Sequence, residues 1–378
     1  MLNPIRSFRL IVVFLVLRSA FTAGADQNLL LGQAKTKGSN GVIVVRNGKN
    51  PVPESKAELV LKEEFTIGLE AGHQMITLED PTYIAVGDDG LIYVVDQKAF
   101  QVKVFGPNGK FLNSIAKRGQ GPGEVEGIHD ISFSPARELL VNDTRSDRLH
   151  YFTPEGKFLR AVPAPGTLGL EGPSQDQRGR IFAVQTAMVT DRAISELVEF
   201  TAGMKKVRTL FSIQIAKYPT FDPIGPQIRF IRTADGGLIW GVTTQYEFNV
   251  LDADGRAVRK IQKDYDPLPV AKKYRDKLMK EFGIGQSYIK FSDHFPAFLD
   301  FRRDDDGRLY VRLYETTPDE LGHVYDVFDR EGRYMARVVI NGTKTPAFSH
   351  GRIYTIEQTL DGTPFVRVYS ASWKKAAS

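Results

Sequence analysis

Five side chains in this sequence could do chemistry together: His129, Arg229, Asp293, His294 and Asp300. An imidazole, a guanidinium and carboxylates around one space can bind an anionic or sugar-like ligand, hold a metal ion, or move protons as acid and base. Taken singly, each has a plainer role, capping a strand or binding water at its end. His129 and Arg229 are far along the chain from each other and from the group Asp293, His294 and Asp300, so only the tertiary fold can gather them. The six histidines (73, 129, 150, 294, 323 and 350) form no HExxH motif and no close pair, which leaves a helical zinc site without support. No GxSxG elbow is present. The absence of cysteine removes disulfides, thiolate metal ligands and cysteine nucleophiles.

Three local motifs invite chemistry and have simpler readings. Gly119, Gly121 and Gly123 could bring backbone amides close to a phosphate. A phosphate loop must follow a strand and open a helix, whereas Pro122 interrupts this one and Ile128 to Phe133 reads as another strand, so a loop crossing between sheets is expected. The runs Asp252-Ala253-Asp254-Gly255 and Asp304-Asp305-Asp306-Gly307 resemble the start of a calcium loop but lack its later bidentate glutamate. Both fall where a hairpin turn is due, and Asp and Gly are what such turns prefer. Asp96 and Asp143, at the ends of strands, are likewise expected to fix turns.

The elements that must position these residues are strands. Asp88 to Glu124 reads as a β-meander, with apolar Leu91 to Val95, alternating Gln101 to Phe105, the turn Pro107-Asn108-Gly109 and a further strand from Phe111. Its second strand, Leu91-Ile92-Tyr93-Val94, recurs near residues 138, 180, 238, 308 and 352. A hairpin glycine recurs at 109, 156, 203, 255 and 332. Repeats of roughly 40 to 50 residues with four strand signals each describe β-propeller blades. The expected fold is all-β, a six-bladed propeller of four-stranded antiparallel blades. The last unit, Ala347 to Ser370, has room for three strands, and Glu58 to Gly68 is expected to supply its fourth and close the ring. Recurring aromatics at Tyr93, Phe182, Trp240 and Tyr310 are expected to pack between blades.

Gly119 to Glu124 after the DG-x-IYV-x-D unit, followed by VNDTRSDRLHYFTPEGKFL, resembles the NHL-repeat group of six-bladed, TolB-like propellers. The resemblance runs from Lys62 to about Tyr369 and is closest over Asp88 to Leu159; Gln185 and Thr243 stand near the place of the strand-ending aspartate in the third and fourth units. It implies a bacterial exported propeller and carries no reaction with it, because such folds serve binding modules, scaffolds and unrelated enzymes.

Arg6 and Arg9 before the apolar run Leu10 to Leu17, with small residues ending at Ala25, read as a signal peptide over residues 1–25. Its removal takes away three arginines and no acid, so the formal charge falls from +5 to +2. Interspersed lysines and acids argue against a nucleic-acid footprint. An extension over residues 26–57 precedes the propeller of residues 58–378, with a short extra strand at Val42 to Val45. A helical insertion at about 264–294 is expected to begin at Pro267 and stop at Gly283.

In a propeller the innermost strands line the axis, and alignment on the second strands puts Thr82, His129 and Arg229 at equivalent entrances, with Asp293, His294 and Asp300 added by the fifth unit. The function expected is an exported (periplasmic or extracellular) binding module or scaffold, taking a protein or small-molecule ligand at the channel mouth. It has no expected cofactor and no membrane segment after cleavage. The alternative is a metal-dependent hydrolase or lyase of the lactonase type, for which Ca²⁺ or Zn²⁺ would sit on the axis.

Overall fold

Residues 33–37, 41–51, 57–69, 76–164, 169–282 and 288–375 are described by the computed structural model of the 378-residue chain. Alternating apolar residues make strands, and the strands form six sheets around an axis. Blade 1 consists of Pro81–Val86, Ile92–Asp96, Gln101–Phe105 and Phe111–Ile115, each antiparallel to the next. Blade 2 repeats it with Ile128–Phe133, Leu139–Asp143, Arg148–Phe152 and Phe158–Pro163. Blades 3, 4 and 5 start from Leu170–Gln175, Ile228–Arg232 and Asp300–Arg303. In blade 6, Ala347–Ser349, Arg352–Gln358 and Pro364–Lys375 are completed by Ala57–Ile67. That strand pairs antiparallel with Pro364–Lys375 from Val366 opposite Ile67 to Lys375 opposite Ala57, so a segment from before blade 1 closes the ring.

The aromatic repeat packs one blade on the next. Tyr93 lies edge-on to Phe133 of blade 2 at 5.0 Å, and Tyr310 stacks on Phe348 of blade 6 at 4.2 Å. Trp240 meets Phe211 of blade 3 at 4.4 Å. Tyr93, Phe182 and Tyr310 are buried. Such rings bring large apolar area and edge-on geometry to the interfaces between sheets.

Thr220–Phe221 adds a short fifth strand to blade 3, and two longer segments depart further from the blade plan. The hairpin of Gln33–Lys37 and Ile43–Asn47 adds to the outer edge of blade 4, where Ile43–Asn47 runs parallel to Ala257–Lys263. Asn47 is buried and stitches blade 4 to blade 5: its amide donates to the carbonyls of Gln262 and Gly332, each at 3.0 Å, and accepts from the Tyr334 N–H at 2.8 Å. Beyond Lys263 comes the insertion. Its helix spans Lys272–Phe282 rather than starting at Pro267. Asp266 and Leu268 precede prolines, which disfavours helical backbone there, and Leu268 to Val270 instead runs beside Asp293 to Phe295, with Val270 N–H on the Asp293 carbonyl at 2.9 Å. Gly283 and residues 1–25 lie outside the described residues. The aromatic series Tyr274, Phe295, Tyr314, with centroids 4.8 and 4.7 Å apart, ties the helix to blade 5. Because the insertion joins the outermost strand of blade 4 to the innermost of blade 5, it lies on the face where the first strands begin.

Candidate functional site

The first strands of blades 1 to 5 enclose a cavity of about 520 Å³ lined by Tyr83, His129, Ser132, Glu171, Arg229, Arg232, Asp300 and Arg302 among others. The structure therefore brings His129, Arg229 and Asp300 together. Asp293 and His294 are elsewhere: both are exposed in the insertion, Asp293 lying 3.5 Å from Arg275 and His294 bridging Pro269 through the backbone. Thr82 is not among the lining residues.

Register explains how the entrance is shaped. Between Pro81 and Tyr83, and again between Ile128 and Asp130, the pairing with the second strand shifts, so Thr82 and His129 sit at β-bulges. Arg229 is instead in regular register opposite Gly241. The three residues are thus not equivalent, contrary to the alignment on second strands, because each bulge inserts a residue that blade 4 lacks. A bulge re-aims its side chain, and His129 is left exposed at the mouth.

Electrostatically the wall is a set of coupled pairs. His129 Nδ1 lies 2.7 Å from Asp130 Oδ2, and this hydrogen bond raises the imidazole above its ordinary 6.5, against the lowering effects of burial and Arg229. Asp130 is buried; its Oδ2 also accepts from the Asn142 amide at 3.0 Å and the Gly172 N–H at 3.2 Å. Arg229 binds Glu171 at 2.7 Å and the side chain of Gln227. Arg302 binds Asp300 at 2.9 Å; burial alone would lower the guanidinium's pKa, but Asp300 and its other neighbours raise it.

Arg232 breaks the pattern. Its Nη1 donates to the Gln175 carbonyl, its buried Nε has no partner, and no carboxylate pairs with it among the described residues. Burial lowers its pKa, and nearby Asp176 is held by Arg180 at 2.6 Å.

Arg232, Arg302 and the acids Asp130 and Glu171 join the cavity without belonging to any sequence motif. A signal was present for Arg302: two residues beyond Asp300 on a strand, it must share its face.

The local motifs have structural roles. In the glycine loop, Glu124 occupies the place an anion would take: it accepts the Gly121 N–H at 2.8 Å and pairs with Lys117 at 3.1 Å. These contacts, the Gly121 amide foremost, hold its carboxyl below the usual range. Asp252 Oδ1 accepts the N–H groups of Asp254 and Arg256, both at 2.9 Å, and Asp304 Oδ1 that of Arg308 at 2.8 Å, the geometry of Asx turns. Asp96 binds the amides of Glu79 and Asp80, and Asp143 those of Glu126 and Gly127, fixing the crossings between blades. Thr243 does the same for Gln227 with a hydroxyl. Among the described residues no three His, Asp or Glu side chains gather to hold a metal ion, and Glu171 and Asp300 in the axial cavity are each bound by a guanidinium.

A family model described as a 6-bladed beta-propeller (DUF5128) matches residues 67–161. A search of the curated proteins finds no match to the sequence. Among solved structures, a candidate exported protein of Bacteroides fragilis aligns with a TM-score of 0.57 at 10% identity, over 87% of this chain and 99% of that one. A member of the duf4221 family from Bacteroides vulgatus aligns with a TM-score of 0.54 at 12% identity, over 85% and 100%. A virginiamycin B lyase of Staphylococcus aureus gives 0.44 at 10% identity, over 82% and 99%. At these identities the likeness is one of fold. The chain is a six-bladed β-propeller, and among the described residues no helix is long and apolar enough to cross a membrane.

Proposed function

We propose that this is an exported bacterial propeller of the NHL-like kind that binds a small anionic ligand in its axial cavity. The observation that carries the reading is Arg232: a guanidinium lining the cavity that donates to the Gln175 carbonyl but, among the described residues, has an unpartnered buried Nε and no carboxylate bonded to it. A partly buried cation with no carboxylate bonded to it is left under-compensated, and an anion entering the cavity would relieve that cost. Arg302 and the raised imidazole of His129 add to the attraction, while Glu171 and Asp300 offer acceptors to ligand hydroxyls. The leader read in residues 1–25 supports a place outside the cytoplasm.

The metal-dependent alternative draws less support, because an incoming cation would face Arg229, Arg232 and Arg302. Thermal shift and calorimetry against citrate, glucuronate and inorganic phosphate test the binding reading. At least one of these anions should raise the melting temperature, and Arg232→Gln should weaken its binding by about tenfold, as expected for loss of one charge-assisted contact. Anions that leave the melting temperature unchanged, or bind the variant equally well, would refute it.

A further inference from the structure

A second cavity, of about 540 Å³, lies between blades 4 and 5 and is walled by the two segments that depart from the repeat: Lys49 and Asn50 after the N-terminal hairpin, and the insertion from Tyr265 to Leu268 with Pro296 and Ala297. Its volume is within the range of small-molecule sites. Lys263 lines it, with a side chain only 6% exposed.

The ammonium of Lys263 has three donors, and its partners are distant: the Asp264 carbonyl at 3.2 Å and Asp326 Oδ2 at 3.4 Å. Charge-assisted bonds are ordinarily about 2.7 to 2.9 Å. Asp326 is shared: its oxygens also take shorter bonds from the hydroxyls of Tyr246 at 2.6 Å and Tyr334 at 2.7 Å, and Arg337 Nε lies 3.6 Å from Oδ1. Those two rings flank the ammonium at 5.0 and 4.6 Å and leave it cationic contact without a strong acceptor. Burial accordingly depresses the amine's pKa, Asp326 only partly opposing it. A buried donor set held this loosely has capacity for a further acceptor oxygen.

The other charged lining residues are paired with one another, Lys49 with Asp266 and Arg337 with Glu315 at 2.7 Å, and between them lies an apolar strip held in place. Tyr265 packs edge-on against Tyr246 at 5.7 Å, and Tyr314 is stacked on Phe295 at 4.7 Å. Leu268 and Pro296 complete a surface against which a flat ring can lie.

We propose that this cavity is a second binding site, for a small carboxylate bearing an apolar ring: the carboxylate meets Lys263, and the ring lies against Tyr265, Leu268, Pro296 and Tyr314. The site is separate from the axial cavity and does not depend on what binds there.

Isothermal titration of the full chain with benzoate, with benzyl alcohol as the uncharged counterpart and acetate as the ringless one, tests it. Benzoate should bind more tightly than either. Lys263→Met should weaken benzoate by about tenfold, and Leu268→Asp, a change at a partly exposed wall residue away from the buried network, should weaken it comparably. Arg232→Gln in the axial cavity should leave it unchanged. Absence of benzoate binding, equal affinity for all three probes, or benzoate affinity unaltered in Leu268→Asp would overturn the proposal, and the last outcome decides even if Lys263→Met does not fold.

Discussion

His129 is drawn toward its charged form because Asp130 is its neighbour in space as well as in sequence. Without the bulge before Asp130, adjacent residues on a strand would point to opposite faces, and the 2.7 Å bond between them would be lost. The sign of the pH effect follows. The folded pKa lies above 6.5, so the contribution of the His129–Asp130 pair is fully present below 6.5 and is lost as pH rises through the raised value. Anion binding in the axial cavity should follow the same course: affinity falls as pH rises through this pKa, by roughly threefold to tenfold for loss of one partly exposed charge. Titration of an anion that binds, at pH 6 and pH 9, checks this, and His129→Gln should flatten the profile. A wild-type affinity that does not change with pH would remove His129 from the binding reading.

At the scale of elements, the hairpin glycines have two separate reasons to be glycine. The first is conformational: Gly109, Gly156, Gly255 and Gly332 have φ between +81° and +95°, in the left-handed region. In blade 3 that conformation falls one residue beyond Gly203, on Met204 at φ +62°. The second is contact with the preceding blade. A Cβ on Gly332 would come within 2.5 Å of Ile261 in blade 4, one on Gly156 within 2.8 Å of Ile115 in blade 1, and one on Gly109 within 2.7 Å of Phe65 in the closing strand. Gly332→Ala therefore combines left-handed strain with overpacking and should cost about 3 kcal/mol. A urea unfolding midpoint close to that of the wild type would show that the blades can shift to accept a methyl group. The strand rhythm and these turns were legible in the sequence because period two and Asp-Gly chemistry are local properties. The helix starts later than composition suggests: Pro269 suits a first turn, but its segment is held extended by pairing with Asp293 to Phe295, beyond the helix. The bulges were not legible, because a bulge is a relation between two strands.

For the whole molecule, closure is the decisive event. Ala57–Ile67 covers the edge that Pro364–Lys375 would otherwise expose, and it supplies Phe65 and Ile67 to the core shared by blades 6 and 1. Deleting residues 57–67 should move the urea transition of the entire ring to lower concentration or leave the protein aggregated; unfolding indistinguishable from the wild type would refute the dependence on closure. The number of blades, the strand that closes them and the turn chemistry between strands follow from the order of amino acids, because each rests on periodicity and local conformational preference. That order also marks His129, Arg229 and Asp300 as residues of the inner strands. Packing of the blades sets the rest: these three share a cavity while Asp293 and His294 do not, Arg232 has no bonded carboxylate among the described residues, and Lys263 is enclosed between two tyrosines. Those are matters of register, burial and distance between blades, and they are set only when sheets from different parts of the chain pack around the axis.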